Sequence, residues 1–150
     1  MNDIKIRKAK ESDLQVIKKL LTELLESMDD TEGIDKDLAL ENCKDILNET
    51  NTHLFVAEIG GIVIGFINFT IRQTLVHPGL SGLIDELVVT RKYREMGVGK
   101  KLIEAAAKNC KQLGCCELEV STEITNEIAQ KFYKSLGFTE RGVILEKELI

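Results

Sequence analysis

Three features of the sequence predict an α/β fold, with one mixed sheet carrying helices on both faces. Residues 53–59 and 62–71 are apolar, β-branched runs joined by Gly60-Gly61, a hairpin signal that makes the two strands antiparallel. Residues 82–89 and 116–120 are two more strand runs, and the segment between them repeats its apolar residues at helical spacing. A strand, a helix and a strand in that order suit a parallel crossover, so the sheet mixes both pairings.

The remaining elements follow in chain order. Residues 4–8, IKIRK, alternate apolar and polar as a strand does. Ser12 or Asp13 caps a first helix, with Leu14, Ile17, Leu20, Leu21, Leu24 and Leu25 as its apolar stripe. A second helix is expected over 35–47, with Leu38, Leu40 and Ile46 turned inward. The single proline, Pro78, marks a surface loop before the strand at 82–89. Val98, Leu102, Ala106, Cys110 and Leu113 give a helix over 97–113, stopped by Gly114. A shorter helix covers 126–136, with Ile128, Phe132 and Leu136 expected to pack on the sheet and Gly137 at its end. Residues 142–149 are expected to form a last strand.

Bulk properties bound the function. The 150 residues are 43% hydrophobic and 30% charged, which suits one domain over 1–150 with a proper core. The longest apolar run, 59–67, is too short to span a bilayer, and the first residues carry no apolar signal core. A cytoplasmic location is the default expectation. Cys43, Cys110, Cys115 and Cys116 form no C-x-x-C, and His53 and His77 stand alone, so no metal site is expected. The thiols read as reduced and structural. Between 23 and 37, Glu23, Glu26, Asp29, Asp30, Glu32, Asp35 and Asp37 face only Lys36. Such a run is either a solvated helix face or a lure for a cationic ligand.

The segment 82–103 is the one on which the chemistry centres. Strand, glycine turn and helix N-terminus together make a socket for an anion, because the first helical N–H groups lack partners and the dipole favours negative charge. Arg91, Lys92, Arg94, Lys100 and Lys101 surround it against Glu95 alone, in a chain of net charge −5. Two phosphate motifs are excluded. Gly99-Lys100 is followed by Lys101 and position 94 is Arg, so this is no P-loop. Position 102 is Leu, so the third glycine of a dinucleotide fingerprint is missing.

Arg94-Glu95-Met96-Gly97-Val98-Gly99 fits R/Q-x-x-G-x-G/A, and downstream lies N-x-x-A-x-x-F-Y-x-x-x-G-F from Asn126 to Phe138. With both blocks in order, the chain resembles the GNAT superfamily of N-acetyltransferases. The resemblance is close over 82–138 and extends to the earlier part only in element order. It implies a mostly antiparallel, twisted GNAT sheet and acetyl-CoA as co-substrate. The backbone of Arg94–Lys100 would take the pyrophosphate, Leu87, Val88 and Val89 would pair with the pantetheine arm, and Asn126 would touch the cofactor.

The implied reaction is direct acetyl transfer to a primary amine, without an acyl-enzyme. Val89 N–H would polarise the acetyl carbonyl and Tyr133 would protonate the departing thiolate. A carboxylate must help take a proton from the amine, which is mostly protonated at neutral pH. Glu86, Asp85 and Glu119 are the candidates, in that order. Strict strand alternation sets Asp85 and Glu86 on opposite faces unless a bulge intervenes. The acceptor is expected to be a small cationic amine such as a polyamine, aminosugar or basic amino acid. The alternatives are a protein amino group or a catalytically idle acetyl-CoA sensor. No nucleic-acid or membrane partner is expected, and a homodimer is the expected assembly.

Overall fold

The computed structural model describes residues 3–28 and 34–150. Chain order is β1 (Lys5–Lys8), a 3-10 turn (Glu11–Asp13), α1 (Leu14–Ser27), α2 (Lys36–Ile46), β2 (Thr52–Ile59) and β3 (Ile62–Arg72). It continues with β4 (Leu80–Val89), a second 3-10 turn (Arg91–Tyr93), α3 (Val98–Gln112), β5 (Cys115–Val120) and α4 (Glu127–Ser135).

The five strands lie in the order β1-β2-β3-β4-β5. The first three pairings are antiparallel and β4 with β5 is parallel, so the sheet is mixed and mostly antiparallel. The β2–β3 turn works because Gly60 and Gly61 both take positive φ, 56° and 81°, which a two-residue hairpin needs. Alternation along β2 sends Phe55 and Ala57 to one face and Leu54 and Val56 to the other. Helices α1 and α2 cover the second face through Leu14, Ile17, Leu20 and Cys43. Helix α3 covers the first through Val98, Leu102, Ala106 and Cys110, with α4 beside it.

Strand β1 is tied to the start of α1 by charge. Arg7 donates to both oxygens of Asp13 at 2.8 and 2.9 Å and to Glu58 at 3.1 Å, while Lys10 N–H donates to Asp13 at 2.7 Å. These bonds hold the Asp13 carboxyl below its ordinary range. Asp13 does precede α1, but its side chain makes no bond to the helix's own N–H groups. Asp35 is a true cap of α2, accepting from Asp37 and Leu38 N–H.

Three expectations need correction. Residues 142–149 form no strand and every residue from 139 to 150 is exposed. A β pattern suits a pleated surface but does not supply a partner, and among the described residues no strand pairs with the segment. Leu38 is exposed, and Cys43 is the buried residue of α2. Ile128 is 85% exposed, whereas Phe132 and Leu136 pack as expected. It is the second residue of α4, in the helix's first turn.

Candidate active site

Strands β4 and β5 pair only from Leu80↔Cys115 to Ile84↔Val120. Beyond Ile84, β4 runs on to Val89 bound to β3 alone. That leaves an open backbone edge facing the gap beyond β5. Thr90 N–H donates to Ile64 on the β3 side at 2.9 Å. Alternation then turns Leu87 and Val89 N–H toward the gap and Val88 N–H toward β3. The Val88 side chain is in the core, 4% exposed. Arg94 reaches back and donates from Nε to the Val89 carbonyl at 2.9 Å, fixing the loop against the strand end.

The loop from Arg94 to Lys100 is shaped by two left-handed residues, Glu95 at φ 62° and Gly97 at φ 81°. A left-handed backbone costs a non-glycine residue free energy, so Gly97 is required by conformation. Lys101 N–H closes the first bond of α3, to the Gly97 carbonyl at 3.1 Å. The N–H groups of Val98, Gly99 and Lys100 therefore have no helical acceptor. Met96 is exposed and Val98 buried. Lys100 sits near Glu104 at 3.9 Å. Gly99 has a different reason to be small. A Cβ there would come 3.2 Å from Phe132 Cζ, with Leu87 also close, so its missing side chain lets α4 pack on the start of α3.

A bulge brings the two adjacent carboxylates together. Asn68 pairs with Glu86 and Phe69 with Ile84, leaving Asp85 as the extra residue. Thr70 donates to Asp85 at 2.6 Å and Asn68 Nδ2 donates to Glu86 at 2.7 Å. Asn68 and Thr70 are two apart on one strand, so Asp85 and Glu86 share one face of the sheet. It is the face of α1 and α2, where burial raises the pKa of Cys43 and the Glu86 charge adds to it. Burial pushes the Glu86 carboxyl above its ordinary value, the Asn68 bond opposes this, and the Asp85 charge adds to it. Glu119 lies 3.8 Å from Arg72. Its neighbour Glu117 accepts from Ser81 at 3.0 Å and faces His77 at 3.1 Å. Asn68 and Thr70 were not among the expected site residues. Their signal was two polar residues, both facing one way, inside the apolar run 62–71.

Tyr133 is on the opposite side, on α4. Its ring lies between Phe132 and Phe138, at centroid distances of 5.3 and 5.5 Å. Burial raises its pKa, so the hydroxyl stays protonated at neutral pH. Asn126 caps α4, its Oδ1 accepting from Ala129 N–H at 3.1 Å, which is a sufficient structural reason for that residue. Of the acidic run, Asp29, Asp30 and Glu32 lie outside the described residues. Glu23 accepts from Arg91 N–H at 3.2 Å. Cys110, its thiol pushed up to about 12 by burial, is core material. Among the described residues no cluster of three or more His, Cys, Asp or Glu could hold a metal ion, and no helix is long and apolar enough to cross a membrane.

Residues 15–138 match the model of the acetyltransferase (GNAT) family. The chain is 32% identical over 120 residues to an aminoglycoside N(6')-acetyltransferase type 1 of Salmonella typhimurium, covering 77% of this chain and 83% of that one. It is 39% identical over 75 residues to N-alpha-acetyltransferase 30 of Schizosaccharomyces pombe, about half of each. An aminoglycoside N-acetyltransferase solved in complex with CoA superposes at a TM-score of 0.86 with 27% identity, over 100% of this chain and 97% of that one. The open β4 edge, the glycine-shaped loop and these likenesses agree: the chain belongs to the GNAT family and is an acetyl-CoA-dependent N-acetyltransferase.

Proposed function

We propose that this enzyme acetylates the primary amine of a small polycationic acceptor. The observation that carries the reading is the row of carboxylates on one sheet face: Asp85 and Glu86 on β4, with Glu117 and Glu119 beside them on β5. Such a row in a partly desolvated cleft attracts and orients an ammonium-bearing ligand. The likeness to the aminoglycoside enzyme supports it, since that match spans most of both chains. A protein N-terminus is the second reading, favoured by the shorter match to the N-alpha-acetyltransferase.

The residues fit acetyl-CoA in kind. Unpaired N–H groups at Val98, Gly99 and Lys100, with Arg94 and Lys100 nearby, would hold the pyrophosphate. Leu87 and Val89 would offer backbone groups to the pantetheine arm as an added strand would. Asn126, Glu95 and Met96 would border it. Acetyl-CoA supplies an activated thioester carbonyl. Val89 N–H would polarise that carbonyl. Glu86, ionised and held by Asn68, would accept the amine's proton directly or through a water. Tyr133, kept protonated by burial, would give a proton to the departing sulfur. Glu86 belongs to the α1–α2 face and Tyr133 to the α3–α4 face. Acceptor and thioester would therefore enter from opposite faces and meet where β4 and β5 part, with both bound at once. Asp85 and Glu119 would serve as charge partners for the acceptor's other ammonium groups.

The test is thiol release from acetyl-CoA over polyamines, aminosugars, basic amino acids and N-terminal peptides, each at low and high salt. A small polycation should give the highest kcat/KM, and that value should fall with salt, because attraction between charges more than about 10 Å apart is largely screened at 0.1 M. It should also fall in Asp85→Asn and Glu119→Gln. A preference for peptides, or no response to salt and charge, would overturn the acceptor class.

A further inference from the structure

The loop between β3 and β4 carries a hydrogen-bonded chain that the proposed transfer does not use. His77 N–H donates to Thr74 Oγ1 at 3.2 Å, and Thr74 Oγ1 lies 2.6 Å from His77 Nδ1. His77 Nε2 lies 3.1 Å from Glu117 Oε1. One assignment satisfies every partner: the Thr74 hydroxyl donates to Nδ1, and the ring's own proton sits on Nε2 and goes to Glu117. Ser81, 1% exposed, donates to the same Glu117 oxygen at 3.0 Å. Both donors take Oε1, which leaves Oε2 for a further one. The Ser81 bond, aided by Glu119, His77 and Arg72 and opposed by burial, holds the Glu117 carboxyl below its ordinary range. The base of the loop is packed down. A Cβ on Gly79 would come 2.6 Å from the Gly114 carbonyl, which also accepts from Leu80 N–H at 3.1 Å.

Glu117 stands at one end of a sheet face and Glu86 at the other. Arg72 pairs with Ser81 and Ser81 with Glu117, so these side chains share the face of Asn68, Thr70 and Glu86. Helices α1 and α2 pack on Val56, Phe66 and Val88 of that face. The far end is open, and the Arg72 side chain is 57% exposed. Asn68 pairs with Glu86 and Arg72 with Ser81, a separation of about 13 Å along the strand, and β5 lies about 5 Å across. The two carboxylates therefore leave the backbone about 14 Å apart. The Glu86 end still lacks a donor. Asn68 is 7% exposed, and its buried Oδ1 has no partner among the described residues, so a ligand N–H would complete it.

Given a small polycationic acceptor, as proposed, we infer that this face is a length gauge: the amine to be acetylated lies at Glu86 and a second ammonium at Glu117, with Thr74 and His77 as positioning residues that hold Glu117. An ammonium is a compact charge with three donors. It suits a carboxylate with one oxygen fixed and the other free. An extended carbon chain advances about 1.25 Å per bond, so about ten carbons between two amines span the gap. Shorter diamines reach only Asp85 or Glu119. The acceptor is then a long body with amines at both ends, rather than a single basic amino acid.

The test is kcat/KM for straight α,ω-diamines of roughly four to twelve carbons. Each is compared with the amino alcohol of the same length, in which a neutral hydroxyl replaces the distal ammonium. The diamine-to-amino-alcohol ratio should peak near about ten carbons, at about two- to fivefold over short lengths, the size of one partly exposed ion pair. In Glu117→Gln and in His77→Ala the peak should vanish while acetyl-CoA KM stays as in wild type. A role in folding alone would lower every acceptor alike and leave the peak in place. Diamines turned over with a ratio that is flat with length, or with a peak that survives either substitution, would overturn the gauge and leave the acceptor class standing. Peptides turned over in place of every diamine would overturn both.

Discussion

Asn68 donates its side-chain amide to Glu86 Oε2 at 2.7 Å, while its own Oδ1, also buried, has no partner among the described residues. A buried carbonyl left without a donor is uncommon. Because the amide stabilises the Glu86 carboxylate, Asn68→Ala should raise the carboxyl's pKa further. As the proposed base, Glu86 would work only when ionised, so the acidic limb of the kcat/KM profile should move to higher pH. A hydrogen bond to a charged group is worth about 1.5–3 kcal/mol, or roughly 1–2 pH units. Glu86→Gln should lose kcat by about 10²–10⁴-fold with the fold intact. An unmoved limb in Asn68→Ala would reduce Asn68 to a core residue.

Tyr133→Phe removes one hydroxyl and keeps the ring between Phe132 and Phe138. We expect kcat to fall by about 10²–10⁴-fold with acetyl-CoA binding nearly unchanged. Wild-type kcat would leave the tyrosine with packing as its only role.

The two loop glycines should fail differently. Gly97→Ala places a side chain at φ 81°, a strain of about 1–2 kcal/mol. Relief of that strain would withdraw the α3 N–H groups, so calorimetry should show acetyl-CoA Kd rising about tenfold. Gly99→Ala instead presses on Phe132 at 3.2 Å, next to Tyr133. There kcat should fall more than affinity. Equal behaviour of the two variants would argue against separate roles.

Asp13→Asn tests the clamp that fixes β1 to α1. Asp13 is 6% exposed and bonded to Arg7 and Lys10. Removing its charge should cost about 2–3 kcal/mol, near the low end for a buried ion pair. Its pKa is lowered from 3.8. The stabilisation is therefore complete above that value and lost as pH falls through the depressed one. Denaturant melts of wild type and variant should differ at pH 6 and converge in strong acid. A constant gap would mean the charge is not the source.

The sheet was legible because its signals are local. Gly60-Gly61 announces a hairpin, and the helical repeat from Val98 to Cys110 announces the crossover. The turn into α3 was legible from Gly97 and the helical repeat behind it. The reason for Gly99 was not, because it lies in a ring 33 residues downstream, Phe132. Asn68 was hidden for a similar cause, since its pairing with Glu86 depends on a bulge that no single strand records. Residues 142–149 were misread as a strand, because alternating apolar residues suit a sheet only where a neighbouring strand pairs with them, and none does among the described residues. Leu38 and Ile128 were misplaced because an apolar side chain at helical spacing is buried only where another element reaches it.

In the proposed mechanism, acetyl transfer to an amine takes place where β4 and β5 part, with Glu86 as the base. The most direct test is steady-state thiol release from acetyl-CoA with the best acceptor of the amine panel, wild type and Glu86→Gln side by side, from pH 5 to 10. Turnover in wild type should rise with pH through a carboxylate-like limb, and the variant should lose both rate and limb. Tight acetyl-CoA binding with no turnover on any amine, or a variant with the wild-type profile, would contradict it.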